Sequence, residues 1–378
     1  MRGHVRKRGN KWVVVVDIGR DATGRRQRRW HSGFDTRRDA EQARITILER
    51  LQRSDYVSPS KLTLGAFLTD EWLPAVEASL ASSTFESYAR NIRFHVVPCI
   101  GQVPLQALTA ARLNAFYGER LKAGRRDGKG LSPRSVRYLH AIVRHALADA
   151  VKWGHAVRNV GDVAEPPSAR RAKAPPPTTW APSELRSFLT HVREDRLSAL
   201  WLFYASTGVR RGEALALRWS DVDDGKAEIH ATSVSVAYDV QGSTPKSERG
   251  RRNVALDAGT VAALREHRKR QLEESLAFGP AYSDNQLVFC REDGAPIHPQ
   301  RVSVLFRAQV KAAGVPMIRL HDLRHTWASL ALQAGVNPKV VSERLGHASV
   351  GFTLDTYSHA IPGMQQGAAE TVAALFAP

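Results

Sequence analysis

Cysteine is nearly absent: Cys99 and Cys290 are the only two in 378 residues, far apart and without the paired spacing of a metal knuckle or a redox motif. That excludes a disulfide-stapled secreted scaffold and predicts two reduced thiols in a cytoplasmic protein. Long apolar runs are missing as well. No segment approaches the roughly 18 consecutive apolar residues of a membrane span, and the opening Met1-Arg2-Gly3-His4-Val5-Arg6 has no apolar signal core. No internal repeat is visible. The third deficit is acid: 37 Asp and Glu stand against 55 Lys and Arg, a net charge of +18 with a pI near 10.4. Solubility does not require so large an excess, which points to a polyanionic partner. Residues 1–53 carry 15 basic against 6 acidic side chains, half of the whole surplus, as a phosphate-contacting surface would. A membrane surface would attract the same charge, but no basic helix offers an aromatic face to insert. Nucleic acid is the favoured partner.

What is present divides into segments. Residues 11–17, with four consecutive valines, read as a strand. The turn Asp21-Ala22-Thr23-Gly24 leads to a second strand over 25–30, and a third short extended piece is expected over 32–34. Thr36 offers an N-cap to a helix over 38–51, where Ala40, Ala43, Ile47 and Leu51 recur at helical spacing. A three-stranded sheet backed by one helix fits this pattern. Arg25, Arg26, Arg28 and Arg29 would let such a sheet lie in a DNA groove, the alternative being arginines that merely face water. Beyond the polar stretch 54–60, four helical stretches run over 64–77, 83–97, 109–123 and 132–153. Arg90, Arg134 and Arg137 on them suit contacts with a duplex backbone, although any helical bundle carries surface arginines. Prolines between 166 and 177 predict a stiff, extended basic linker. The expected fold class is mainly α with small β elements (α+β). Its domains are 1–58, a sheet-and-helix DNA-binding unit; 59–165, helical; 166–178, a linker; and 179–378, mixed helical with a small antiparallel sheet.

The last domain carries the chemistry. An apolar helix over 197–206 ends at Gly208, and Arg210 opens the next, with Glu213 one turn along to hold its guanidinium bidentately. Strands are expected over 227–231, 233–238 and 252–256, with residues 244–250 as the turn between the last two. In the helix from Leu320, 100° per residue puts His321, Arg324, His325 and Ala328 on one side and Leu323, Trp327, Leu330 and Ala334 on the other. The apolar stripe should anchor the helix and aim His321 and Arg324 away from the core. His321 and His325 share the spacing of a zinc helix, but Arg324 would set a fixed positive charge beside the metal, and no third ligand follows at a recognisable spacing. No metal is expected. The final stretch 365–378 could form a small amphipathic helix.

Thr207-Gly208-Val209-Arg210, His321-Asp322-Leu323-Arg324, Leu345-Gly346-His347 and Leu354-Asp355-Thr356-Tyr357-Ser358-His359, in this order, resemble the tyrosine recombinase (phage integrase) family. The resemblance implies that Tyr357 attacks a phosphodiester, leaving a 3′-phosphotyrosyl bond and a free 5′ hydroxyl. Arg210 and Arg324 would clamp the non-bridging oxygens, His347 would add a hydrogen bond, and His321 would take the phenolic proton. Lys246 occupies the place of the lysine that protonates the leaving oxygen in this family. No cofactor is implied, neither ATP nor a divalent cation. Residues 1–58 resemble the arm-binding domains of integrases and 59–165 the core-binding domain. The partners implied are double-stranded DNA attachment sites, a homotetramer on two duplexes, and the host DNA-bending protein and excisionase that integrases can use. Type IB topoisomerase-like strand passage, an inactive DNA-binding regulator and a metallopeptidase are the alternative readings.

Overall fold

The valine run becomes the centre of a sheet. In the computed structural model, which describes residues 3–20, 24–52, 56–173, 175–223, 225–236, 239–243, 251–357, 369 and 372–376, β2 (Lys11–Arg20) pairs antiparallel with β1 (Gly3–Arg8) and β3 (Arg26–Phe34). β-Branched residues suit a pleated surface buried on both sides. Val14 and Val16 pack with Val5, Trp12 and Ile18 against Ala40, Ala43, Ile47 and Leu51 of α1 (Arg37–Gln52). Val13 and Val15 point to the other face, where their cross-strand neighbours include Arg6 and Trp30, and the Arg6 guanidinium stacks 4.0 Å over the Trp30 ring. The third strand is thus Gly3–Arg8 and not residues 32–34, which continue β3 past a bulge opposite Trp12 and Val13. Basic residues at all but two positions of Gly3–Arg8 leave only Val5 as an apolar signal, too little to mark a strand by alternation.

The structure divides into two compact units, Met1–Ala174 and Pro175–Pro378. In the first, helical residues 64–79 and 82–100 pack with α2 (Ala110–Lys122) and α3 (Pro133–Lys152) around Phe67, Trp72, Ile92, Phe116, Leu139 and Ile142. Both early helices widen into π turns, Phe67–Trp72 and Ile92–Val96, immediately before Leu73-Pro74 and Val97-Pro98. Proline lacks the N–H and crowds the carbonyl one turn back, which a wider turn relieves. The linker is less extended than its prolines suggest: Ala172 N–H bonds to Ser168 O at 3.0 Å and Lys173 N–H to Arg170 O at 3.3 Å.

The second unit comprises α4 (Pro182–His191), α5 (Ser198–Thr207), α6 (Arg211–Ala216), α7 (Ala258–Phe278), α8 (Pro299–Ala312), α9 (Leu320–Gln333), α10 (Pro338–Leu345) and α11 (Val350–Tyr357). Its core gathers Trp180, Phe188, Trp201, Phe203, Phe289 and Phe306. Two small sheets lie between α6 and α7: β4 (Val222–Asp223), β5 (Lys226–Ile229) and β8 (Arg252–Ala255) form one, while β6 (Thr232–Val236) and β7 (Asp239–Ser243) form a separate hairpin. Residues 244–250 therefore follow β7 instead of joining the strand at 233–238 to β8. β7 contains a single β-branched residue, Val240, which explains why its pattern did not register. Residues 244–250, Lys246 among them, and most of 358–378 lie outside the described residues. Among the described residues no helix is long and apolar enough to cross a membrane.

Trp180 ties the start of this unit to α9. Its backbone N–H donates to Thr326 Oγ1 at 3.1 Å and its indole Nε1–H to Pro316 O at 2.8 Å, while its ring packs on Phe188 and Phe306. Trp180→Ala should lower unfolding stability by about 3–5 kcal/mol, measured by urea denaturation followed by circular dichroism. A loss under about 1 kcal/mol would show that the ring is not part of the cooperative core.

Candidate active site

Two helices end in the same way. α5 stops at Gly208 with φ 64° and α10 at Gly346 with φ 66°, the left-handed cap that glycine adopts without strain. Helix C-termini leave carbonyls without intrahelical partners and carry the negative end of the helix dipole. Here guanidinium groups supply the missing donors. Arg324 bonds through Nη1 to Gly208 O at 2.8 Å and through Nη2 to Leu345 O at 2.7 Å. Arg210 bonds through Nη2 to Gly346 O at 2.9 Å. A Cβ on Gly208 would also lie 2.7 Å from Leu345 Cδ2, so close packing and backbone conformation both require glycine.

Arg324 does not project from the core as the helical wheel suggests; it is 4% exposed. Residues 320, 322–324, 326, 328, 329 and 332 of α9 are all buried, and the other three expected stripe positions, Trp327, Leu330 and Ala334, are only half-buried or exposed. Burial, with Arg210 next in weight, lowers the Arg324 pKa to about 9. Such a site favours the arrival of an anion.

Among the described residues Glu213 is the carboxylate that opposes this charge directly, and its bidentate partner differs from the expected one. Arg210 reaches Oε1 through Nη1 at 2.7 Å, and the Arg210 N–H bonds Oε2 at 2.8 Å to cap α6. The fork belongs to Arg252 on β8, with Nη1 at 3.1 Å from Oε1 and Nη2 at 2.8 Å from Oε2. Arg252 Nε also donates to Arg344 O at 2.6 Å, in the last turn of α10. One side chain thereby joins β8, the start of α6 and the end of α10. Burial works to raise the Glu213 pKa, but Arg252 and then Arg210 overcome it and hold the carboxyl at about 2. Sequence reasoning missed Arg252, which no local motif marks.

Tyr357 ends α11 fully buried. Burial raises its pKa to about 12, opposed by Arg324. Its hydroxyl contacts His325, not the expected His321: Tyr357 Oη and His325 Nδ1 are 2.7 Å apart. His321 is exposed, with its ring edge-on to His325 at a centroid distance of 5.1 Å. His347 stacks on the Tyr357 ring at 6.3 Å, and its Nδ1 lies 2.8 Å from Thr353 Oγ1. Burial first, then neighbouring cations, lowers the His347 pKa to about 3; although His321 remains accessible to solvent, desolvation by the protein packed around it, then His325 and Arg324, lowers its pKa to about 4. Asp322 is bound by Arg319 at 2.7 Å and caps α9 through the Arg319 N–H at 2.8 Å. Arg211, adjacent to Arg210, turns away to Ser303 Oγ at 2.7 Å.

The other basic candidates occupy the first unit. Arg26, Arg28 and Arg29 are exposed on β3 and Arg25 is exposed just before it. Register places Arg28 opposite Asp17 and Arg29 opposite Val16, so the two fall on opposite faces of the sheet, Arg28 on that of the Arg6–Trp30 stack. Arg90 and Arg134 are exposed. Arg137 differs from the expectation of a free surface cation, since its Nη1 donates to Pro167 O at 2.8 Å.

Arg252→Met should destabilise the protein by about 3–5 kcal/mol, because it leaves Glu213 as a buried carboxylate short of its main partner; Arg252→Lys should recover part of the loss in the same denaturant titration. Equal midpoints for wild type and Arg252→Met would contradict the linkage drawn above. Stability should also fall in mild acid. His347 and the buried His267 take protons only near pH 3 and pH 4 when folded, against 6.5 when unfolded. The unfolded chain binds more protons between these values, so stability rises with pH up to about 6.5 and is complete above it. A thermal midpoint unchanged from about pH 7 to 5 would count against neutral buried imidazoles.

Comparison with known proteins identifies the family. Residues 180–363 match the phage integrase family and residues 4–51 the arm DNA-binding domain. The chain is 27% identical to the tyrosine recombinase XerC-like protein of Caldanaerobacter subterraneus over 98% of each sequence. It is 25% identical to the ICEBs1 integrase of Bacillus subtilis, covering 95% of this chain and 96% of that one. In fold it resembles the Tn1549 transposon integrase in complex with transposon right end DNA, with a TM-score of 0.67 at 17% identity over 82% of this chain and 99% of that one. A lambda integrase dimer bound to a core site gives a TM-score of 0.58 at 18% identity over 94% of each. Through these two matched regions the chain belongs to the phage integrase family, the tyrosine recombinases that cut and rejoin DNA at specific sites.

Proposed function

We propose that this recombinase is the integrase of a phage or other mobile element and transfers DNA strands through Tyr357. The buried phenol carries the reading: it lies beside Arg324, and Arg324 beside Arg210, and among the described residues Glu213 and the helix-end carbonyls only partly oppose their charge. A scissile phosphate supplies the missing anion. The remaining N–H groups of Arg210 and Arg324 clamp its non-bridging oxygens, and in a water-poor site such contacts strengthen as charge builds in the transition state. His347, neutral at pH 7, donates through Nε2–H when Thr353 gives its hydroxyl proton to Nδ1. His321 sits at the exposed edge, where it can meet a phosphate oxygen. Lys246 protonates the departing 5′ oxygen. The 3′-phosphotyrosyl bond conserves the energy of the phosphodiester, so a second 5′ hydroxyl can reverse the step with neither ATP nor a divalent cation.

The domains follow from charge and resemblance: 1–58 for arm-type sites, 59–165 for the core site, 166–178 as linker and 179–378 for catalysis. Arg28, on the face of the sheet that carries Arg6 and Trp30, is exposed and suited to a groove. Arg25, Arg26 and Arg29 reinforce the phosphate attraction there, and Arg90 and Arg134 do so on the helices. The working assembly is a homotetramer on two attachment sites in the cytoplasm, assisted by a host bending protein and an excisionase. A tetramer bound to a Holliday junction is known for lambda integrase, which supports this assembly.

The test is a nicked suicide duplex spanning the junctions of the encoding element, incubated in chelator and analysed for detergent-resistant protein–DNA adducts. Wild type should form one and Tyr357→Phe none. Arg210→Ala and Arg324→Ala should bind the duplex and cleave about 10²-fold or more slowly. Binding without any wild-type adduct would favour an inactive regulator, and relaxation without joining of site pairs a topoisomerase.

A further inference from the structure

We propose that His325, the residue after the basic motif and not its first histidine, is the catalytic base that takes the proton from Tyr357. The inference rests on the Tyr357 reading above. General base catalysis requires the acceptor within hydrogen-bond reach of the proton it removes, and 2.7 Å between His325 Nδ1 and Tyr357 Oη meets that condition. His321, one helical turn earlier on α9, is separated from this contact: its exposed ring meets the edge of His325, with 5.1 Å between centroids. Helix geometry explains the difference. Residues 321 and 325 share a face, but α11 brings Tyr357 against the later of the two.

The surroundings suit a neutral acceptor. Facing His325 are His321, Asp322, Arg324 and the capping Arg319 from its own helix, Tyr357 from α11, and His347 from the turn after α10. Burial lowers its pKa below the ordinary value, while Asp322 acts to raise it. An uncharged imidazole can therefore accept, and the carboxylate beside it favours the imidazolium once formed. The step balances within the site. The phenolic O–H bond breaks and its proton passes to Nδ1. The tyrosyl oxygen bonds phosphorus as the bond to the 5′ oxygen breaks, and that oxygen takes the Lys246 proton. In rejoining, the incoming 5′ hydroxyl returns a proton to Lys246, and the imidazolium reprotonates the departing Tyr357.

The experiment uses whichever nicked duplex traps the wild-type protein and measures the single-turnover rate of adduct formation against pH. His325→Ala should slow it by about 10²-fold or more with duplex binding intact. His325→Asn, whose carbonyl oxygen can keep the hydrogen bond but cannot hold the proton, should stay slow and lose the rise of rate with pH. Imidazole in the buffer should restore adduct formation to His325→Gly. A bridging 5′-sulfur substrate, whose thiolate leaves without protonation, should remove the defect of Lys246→Ala and leave that of His325→Ala. If His325→Ala or His325→Asn cleaves as fast as wild type, or the sulfur substrate cures the His325→Ala defect, the contact merely clasps the tyrosine and the proposal falls alone. If wild type forms no Tyr357-dependent adduct, the strand-transfer reading falls and takes the proposal with it.

Discussion

Guanidinium groups bonded to the carbonyl ends of two helices hold this site in shape. Arg324 bridges the last turns of α5 and α10 through Gly208 O and Leu345 O, and Arg210 adds Gly346 O. Each bond satisfies a carbonyl that the helix itself cannot. The same bonds orient the arginines, so the structural role and the proposed binding role reside in one fork. Glycine is required at both turns because their positive φ angles direct those carbonyls toward the arginines.

This arrangement is costly without its substrate. Among the described residues Arg210, Arg252 and Arg324 face one buried carboxylate, Glu213, and cations removed from water destabilise one another. The rest of the unit supports that cost through the aromatic core around Trp180, Trp201 and Phe306. Arg252 distributes the constraint further, since its fork on Glu213 and its Nε on Arg344 O bind a strand to the start of α6 and the end of α10. In the proposed reaction a phosphate arriving at such a site would relieve repulsion at the same time as it is clamped. The basic surplus elsewhere acts at longer range, raising the local concentration of duplex by attraction that salt screens.

Much of this was legible from residue order. The three glycine- or arginine-bearing motifs and Tyr357 were readable because each is local: a helix end, the residue after it, a helical face. The four helices of residues 60–165 were readable from periodicity, and Trp201, Phe203 and Tyr204 are core as their apolar helix indicated. Other features were not readable. β1 lacks an apolar alternation, and β7 has one branched residue among five. Arg252 meets a carboxylate 39 positions earlier, with no spacing rule to announce the pair. The wheel over α9 put Arg324 and both histidines on one face correctly but took that face to be open, because the turns that cover it come from 116 and 21 residues away.

The sequence by itself determined the family, the mainly helical fold class, the basic character that selects nucleic acid, and the motifs whose tyrosine and two arginines the fold brings together. These depend on local propensity, composition and motif order, all of which survive in one dimension. Tertiary structure alone decided that Arg324 is buried, that Arg252 and not Arg210 forks Glu213, and that His325 rather than His321 touches Tyr357. Each of those outcomes depends on a hydrogen bond of about 3 Å between separate elements. A one-turn difference along a helix decides such a contact, and residue order sets only which face the side chains share, not what packs across it.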